Sequence, residues 1–148
     1  MDAETEPASA ARIRVVALAI IRKPRSGQLL VFAGHDPARD LTYHRPLGGG
    51  VLFGERADAA VRRELMEELG VQVRTHRGLG ATEAIFAVAG RRHHEIFLLV
   101  ECSFDDRSLY RREHFPDVET GREPGLWRSP DSPVPLFPER LHDVIDRT

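Results

Sequence analysis

From Gly48 to Val71 the chain reads GGGVLFGERADAAVRRELMEELGV, a glycine-rich loop running into a helix. Across Ala57 to Leu69, Val61, Leu65 and Leu69 recur every four residues as an apolar stripe, and Gly70 stands where a helix stop belongs. With Glu64 as zero and a step of about 100° per residue, Glu67 falls near −60° and Glu68 near +40°. Three carboxylates therefore share one face beside the stripe, and Ala57 and Ala60 on that face leave it uncrowded for a ligand. Like charges so spaced destabilise a helix by roughly a few tenths of a kcal/mol per pair. A solvated surface tolerates that cost. A bound Mg²⁺ or Mn²⁺ reverses it, because hard cations prefer several carboxylate and carbonyl oxygens. The helix face alone leaves both readings open.

The preceding loop favours a ligand. Gly48-Gly49-Gly50 is expected to be a bend where the backbone approaches something closely, offering carbonyl oxygens to a metal and amides to a phosphate near the helix start. Glu55 fits a helix-dipole partner or cap more readily than a direct ligand.

Outward from this unit, Ile13 to Ile21 reads as a buried strand and Gln28 to Phe32 as a second, joined through the Pro24–Gly27 turn as a hairpin. Val71 to Arg74, Gly80 to Val88 and Glu95 to Ser103 read as strands, the last two linked by a turn at Gly90-Arg91-Arg92. Residues 105 to 135 read as a long surface loop around a short strand near Leu126-Trp127. Pro138 to Ile145 reads as a closing helix with Pro138 in its first turn. Residues 1–10 read as a disordered tail and 11–148 as one domain, with an α/β class and a mixed sheet between helical layers.

Composition narrows the function. The 148 residues suit one core, and a net charge of −2 recommends no nucleic-acid polymer as partner. Lys23 is the only lysine, so the positive charge is almost wholly guanidinium, suited to bidentate phosphate contact. Cys102 is the single cysteine, which excludes a disulfide within the chain and a cysteine-cluster zinc site; inside an apolar run it reads as a small buried residue. Asp2, Glu4 and Glu6 stand where a signal peptide needs positive charge, and the Val15–Ile21 run is too short for a membrane span. A cytoplasmic protein is expected, monomeric or homodimeric.

Gly49, five residues, Glu55, seven residues, then Arg63-Glu64-Leu65, Met66, Glu67-Glu68, Leu69 and Gly70-Val71 resembles a complete Nudix box. Seven fixed identities at about 7% each make a chance match rarer than about one in 10⁷ per start position. The resemblance implies an α/β/α sandwich holding divalent metal, Mg²⁺ or Mn²⁺, against a pyrophosphate. Glu64, Glu67 and Glu68 are then metal ligands, with the Gly48 carbonyl a further candidate. Arg63 orients the glutamates, and Glu55 supports the box. Many members of the family have proline where Leu47 stands and an acidic residue where Leu52 stands, differences that bear on loop rigidity and metal count. The implied activity is hydrolysis of a pyrophosphate bond in a nucleoside diphosphate linked to another moiety. The rival of another class is a non-catalytic nucleotide-sensing module on the same fold, against which the intact glutamates and Arg63 argue.

Beyond the box, Tyr43 to Gly49, Glu83 to Phe86, His94 to Ile96 and Pro135 to Pro138 resemble a bacterial Nudix group of unassigned substrate. Glu83 and Glu95 each interrupt an apolar strand-like run, where a carboxylate is costly unless paired or metal-bound. With Glu64 and the acids of the 105–125 loop, they are candidates for the general base. Arg45, beside Gly49 and Gly50, is the better phosphate-binding arginine; Arg91 and Arg92 read as solvated charge, and adjacent His93 and His94 point to opposite faces of a strand. No proline lies between Pro46 and Pro116 and no tyrosine between Tyr43 and Tyr110, so the downstream marks of the ADP-ribose and dinucleoside-polyphosphate subgroups are missing. The Trp- and Pro-rich NADH signature is missing as well.

Overall fold

From Val16 onward strand β1 (Arg14–Ile21) is apolar on both faces because both are covered there. Ala17, Ala19 and Ile21 pack with Val61 and Leu65 of helix α1 (Ala57–Leu69), while Val16, Leu18 and Ile20 pack with Leu141, Val144 and Ile145 of helix α2 (Leu141–Ile145). Burying a side chain of the size of Val61 or Leu65, both fully excluded from solvent, contributes about 1.5–3 kcal/mol. The structure is a computed structural model describing residues 11–119 and 123–146. The tail expected over residues 1–10 lies outside the described residues.

The remaining strands are β2 (Leu29–Asp36), β3 (Leu41–Pro46), β4 (Gly48–Gly50), β5 (Val73–Val88), β6 (Arg91–Phe104), β7 (His114–Phe115) and β8 (Gly125–Arg128). A first sheet runs β4-β1-β6-β5, parallel between β1 and β6 and otherwise antiparallel, so it is mixed as expected. A second, antiparallel sheet runs β3-β2-β8-β7. The α/β class stands, with one sheet between α1 and α2 and a second beside it.

Several elements differ from the sequence expectation. β1 and β2 pair only at the turn itself, through the Arg22–Leu29 bridge and the Lys23 amide on the Gln28 carbonyl, and β2 then leaves to found the second sheet instead of extending a hairpin. The glycine run is no bend but strand β4, with Gly48, Gly49 and Gly50 opposite Leu18, Ala17 and Val16. The two strands read over 71–74 and 80–88 are one, β5, with irregularities between Thr75 and Arg77 and between Gly78 and Gly80. There the glycines permit a break in register rather than an end to the strand. Pro138 precedes α2 instead of opening it. Helix α1 keeps its expected bounds, and Gly70 closes it in the left-handed conformation (φ 67°).

Candidate active site

Helix α1 is tilted so that its acidic face grades from solvent to core. The Glu67 side chain is 44% exposed and that of Glu64 16%, while Glu68 is buried. Ala60, expected on an open face, is fully buried. Its small side chain, with the bare backbone of β4, lets helix and sheet edge approach closely. A Cβ on Gly49 would collide with the Glu64 carboxylate, and one on Gly48 with the backbone carbonyl of Ala17. The close approach expected of the glycines is therefore present, in extended form.

Arg63 ties loop to helix. Its Nε donates to Glu55 Oε2 at 2.8 Å and its Nη2 to Glu55 Oε1 at 2.9 Å, a two-pronged pair. Nη2 also donates to the Gly50 carbonyl at 2.9 Å, and Nη1 to Glu64 at 2.9 Å and Glu67 at 3.3 Å. Glu55 accepts the Leu52 amide at 3.0 Å and does not cap α1. The Arg63 guanidinium and that amide hold the Glu55 carboxyl down to about 2, and the same carboxylates raise Arg63 above its ordinary range. The Glu55–Arg63 clasp was absent from the sequence reading, because seven residues of intervening loop and helix conceal it.

Around β4, the amide of Ala19 bonds the Leu47 carbonyl and that of Val51 the Val15 carbonyl. Alternation along an antiparallel ladder then sends the carbonyls of Gly48 and Gly50 away from β1, off the sheet edge. Burial holds the guanidinium of Arg45, on β3, below its ordinary value, and Glu95 and Glu68 only partly offset this by favouring its charge. Asp117 and Glu123 line the same small cavity as Glu68, where the late loop passes and Val118 donates its amide to the Glu68 carbonyl at 2.7 Å.

The two strand carboxylates lie apart from the helix glutamates. Glu95 is buried on the face away from α1, sharing it with Phe97 and Leu99, and pairs with Arg14 at 3.2 Å. Arg14 passes against Gly50 and was not singled out in the sequence, since a strand-initial arginine carries no distinguishing pattern. Glu83 is exposed and accepts from His94 Nε2 at 2.7 Å. Burial pushes the Cys102 thiol up to about 12, as suits a packing residue. Among the described residues no three His, Cys, Asp or Glu side chains converge as a ready metal cluster: Glu64 and Glu67 are turned to Arg63.

The model of the NUDIX domain matches residues 12–142. The chain belongs to the Nudix family. Its activity class is accordingly that of a Nudix pyrophosphohydrolase. A MutT Nudix hydrolase from Burkholderia pseudomallei is similar at 25% identity and a TM-score of 0.58, covering 91% of this chain and 95% of that one. The ORF135 protein of E. coli is similar at 24% identity and a TM-score of 0.58, with 96% and 94% covered. A UDP-X diphosphatase is similar at 17% identity and a TM-score of 0.57, with 99% and 68% covered. The latter two likenesses concern the fold. No curated protein matches the chain. Among the described residues no helix is long and apolar enough to cross a membrane.

Proposed function

We propose that this Nudix domain is a divalent-metal-dependent hydrolase cleaving the P–O–P bond of a nucleoside diphosphate linked to a further group, a nucleoside triphosphate or similar small substrate. The observation that carries the reading is the Arg63 clasp, which fixes the glycine strand, the Glu55 loop and two helix carboxylates as one unit. The donors suit Mg²⁺ or Mn²⁺, because carboxylates and carbonyl oxygens are the hard ligands such ions prefer. Gly49, lacking a Cβ, leaves the Glu64 carboxylate room against the backbone. Glu64, Glu67, Glu68 and the Gly48 carbonyl would hold the cation, which when bound neutralises phosphate charge and sharpens a water as nucleophile.

The remaining roles belong to the chain's own groups. Arg63 sets the direction of Glu64 and Glu67 by its Nη1 contacts. Arg45 and the backbone of Gly49 and Gly50 would receive the phosphates, Arg45 by charge and the glycines by close approach. A carboxylate takes the proton of the attacking water as its oxygen bonds to phosphorus, and the bridging oxygen leaves with the neighbouring phosphate. Glu64, at the strand edge, is assigned that role ahead of Glu95, which lies on the opposite face of the sheet.

The test is a panel with Mg²⁺ or Mn²⁺: nucleoside triphosphates, ADP-ribose, nucleotide sugars, dinucleoside polyphosphates and phosphomonoesters. Diphosphate-containing substrates are expected to be cleaved and monoesters left intact. EDTA should abolish turnover. Glu68→Gln should fold and lower turnover by about a hundredfold or more, as for loss of a group acting in the transition state. Cleavage of monoesters alone would refute the reaction class, and full activity in folded Glu68→Gln would refute the site.

A further inference from the structure

Helix α1 covers only part of its face of the first sheet. Beyond Ala17 toward the start of β1, the same face carries Val15 and Ile13, 37% and 56% exposed, and Ile85 of β5, 61% exposed. Ile96 and Leu98 of β6 lie between and are only half-buried. Five aliphatic side chains thus pave an uncovered floor, continuous with the ground beneath Glu64. Toward the open strand ends Ile13 and Ile85 line a cleft of about 690 Å³ together with His94. Leaving so much aliphatic surface open is costly unless a ligand uses it.

At the far side of this floor stand Glu83 and His94. The register runs Val16–Phe97–Thr82 and Val15–Ile96–Glu83, so Glu83 lies two strands from β1 and three from β4. From Gly49, beneath the Glu64 carboxylate, that is about 14 Å across the strands and about 7 Å along them, or about 16 Å in all. This separation is comparable to an extended nucleoside diphosphate. Phosphates beside Glu64 would therefore set a sugar over Val15 and Ile96 and a base against the dyad.

We infer that the Glu83–His94 pair is a specificity device that recognises the nucleobase and selects bases bearing an amino group. A carboxylate only accepts hydrogen bonds, so His94 Nε2 donates to Glu83 Oε2 at 2.7 Å and fixes the side chain. The Glu83 side chain is 60% exposed and only its Oε2 is engaged by His94, so its other oxygen can accept from a ligand lying on the floor. Adenine, cytosine and guanine each carry an exocyclic amine able to donate to it; uracil seated as cytosine would place its O4 carbonyl where cytosine has its amine, so two acceptors face each other unless the ring shifts to bring its N3–H round. The aliphatic floor supplies apolar contact to any ring and so contributes affinity without choosing among bases.

This inference rests on the nucleotide reading of the site. It is tested with the metal-loaded protein by kcat/KM for ATP, GTP, CTP and UTP, alongside binding of the four nucleoside monophosphates by calorimetry. UTP should be the poorest substrate by about tenfold or more, the usual worth of one hydrogen bond to a charged group. In Glu83→Ala the three amino-bearing nucleotides should lose that advantage in both turnover and monophosphate binding. Glu83→Gln adds an N–H donor and should raise UMP binding and UTP turnover relative to the other nucleotides. His94→Ala should weaken the discrimination in part. Triphosphate cleavage without base preference, or a preference kept in folded Glu83→Ala, would overturn the inference and leave the function standing. An amino preference in monophosphate binding that vanishes in Glu83→Ala, with no triphosphate cleaved, would uphold the inference and count against the nucleotide-hydrolase reading.

Discussion

Replacing Arg63 by alanine removes the donor of five hydrogen bonds at once, two to Glu55 and one each to Glu64, Glu67 and the Gly50 carbonyl. Bonds involving a charged group contribute about 1.5–3 kcal/mol each when sheltered, but these share one guanidinium and do not add. The Glu67 contact is long and half-exposed, so screening leaves it little. Arg63 itself is 26% exposed at the side chain, which moderates the rest. The net loss should be about 3 kcal/mol, at the lower end of what removing one partner of a sheltered pair costs. For a chain of this size that lowers Tm by about 10 °C. Urea unfolding followed by circular dichroism measures it directly. Arg63→Lys keeps the charge but cannot make the fork to Glu55 while also reaching Gly50, so it should recover less than half of the loss. A folded Arg63→Ala within about 0.5 kcal/mol of wild type would refute the clasp as the element joining loop to helix. Full recovery by lysine would show that charge alone, not the fork, is what matters.

The two glycines flanking the carboxylate separate stability from activity. Gly49→Ala pushes on the movable end of Glu64 and should cost little stability while lowering kcat by about a hundredfold, whereas Gly48→Ala meets the backbone of Ala17 and should lower the urea midpoint first. Comparable stability losses in both variants would contradict this division. The Glu55 carboxyl, held at about 2 against an ordinary 4.5, is depressed in the folded state, so the stability it brings is complete above pH 4.5 and disappears as pH falls toward 2. Urea midpoints from about pH 6 down to about pH 2.5 should fall more steeply for wild type than for Glu55→Gln, and parallel curves would count against the assignment.

Helix α1 was legible because three signals agree on its limits: the four-residue apolar repeat, Gly70, and the absence of breakers between. The fold class followed from β-branched runs on either side of it. What the sequence concealed is pairing over distance. Nothing local in Gly48-Gly49-Gly50 announces a strand; it becomes one because β1 presents an edge and only bare backbone fits between that edge and α1. β1 and β2 are adjacent and apolar, yet each finds its partners elsewhere. Likewise the cost of a carboxylate in a strand pointed to Glu83 and Glu95 as needing partners, and both have one. Alternation along β6 then sends Glu95 to the face opposite α1, a sorting that requires the register. Buried Arg128 is a further case, donating to His44 Nδ1 at 2.9 Å and to the Val134 carbonyl at 2.6 Å, a link across 84 residues that no local pattern predicts.

The charge inventory around β4 gives an argument independent of the box. Glu55, Glu64 and Glu67 converge on Arg63; Glu95 and Glu68 favour the charge of Arg45 electrostatically; and Glu95 also holds Arg14. Five carboxylates meet three guanidinium groups, which leaves two negative charges on the helix side of the sheet edge. Glu95 is matched by Arg14 and Glu55 by Arg63, so the excess falls on Glu64, Glu67 and Glu68, the three that share a helix face. A helix bears such like-charge neighbours at a cost, and a single divalent cation balances two charges where a fourth guanidinium would balance one. The loosest of the five is Glu67, on its 3.3 Å contact, and the most sheltered is Glu68. A cation bound as proposed would gain most from Glu68, where water competes least, and would displace least at Glu67. That ordering makes Glu68, rather than the more visible Glu67, the carboxylate whose neutralisation should matter most to the chemistry.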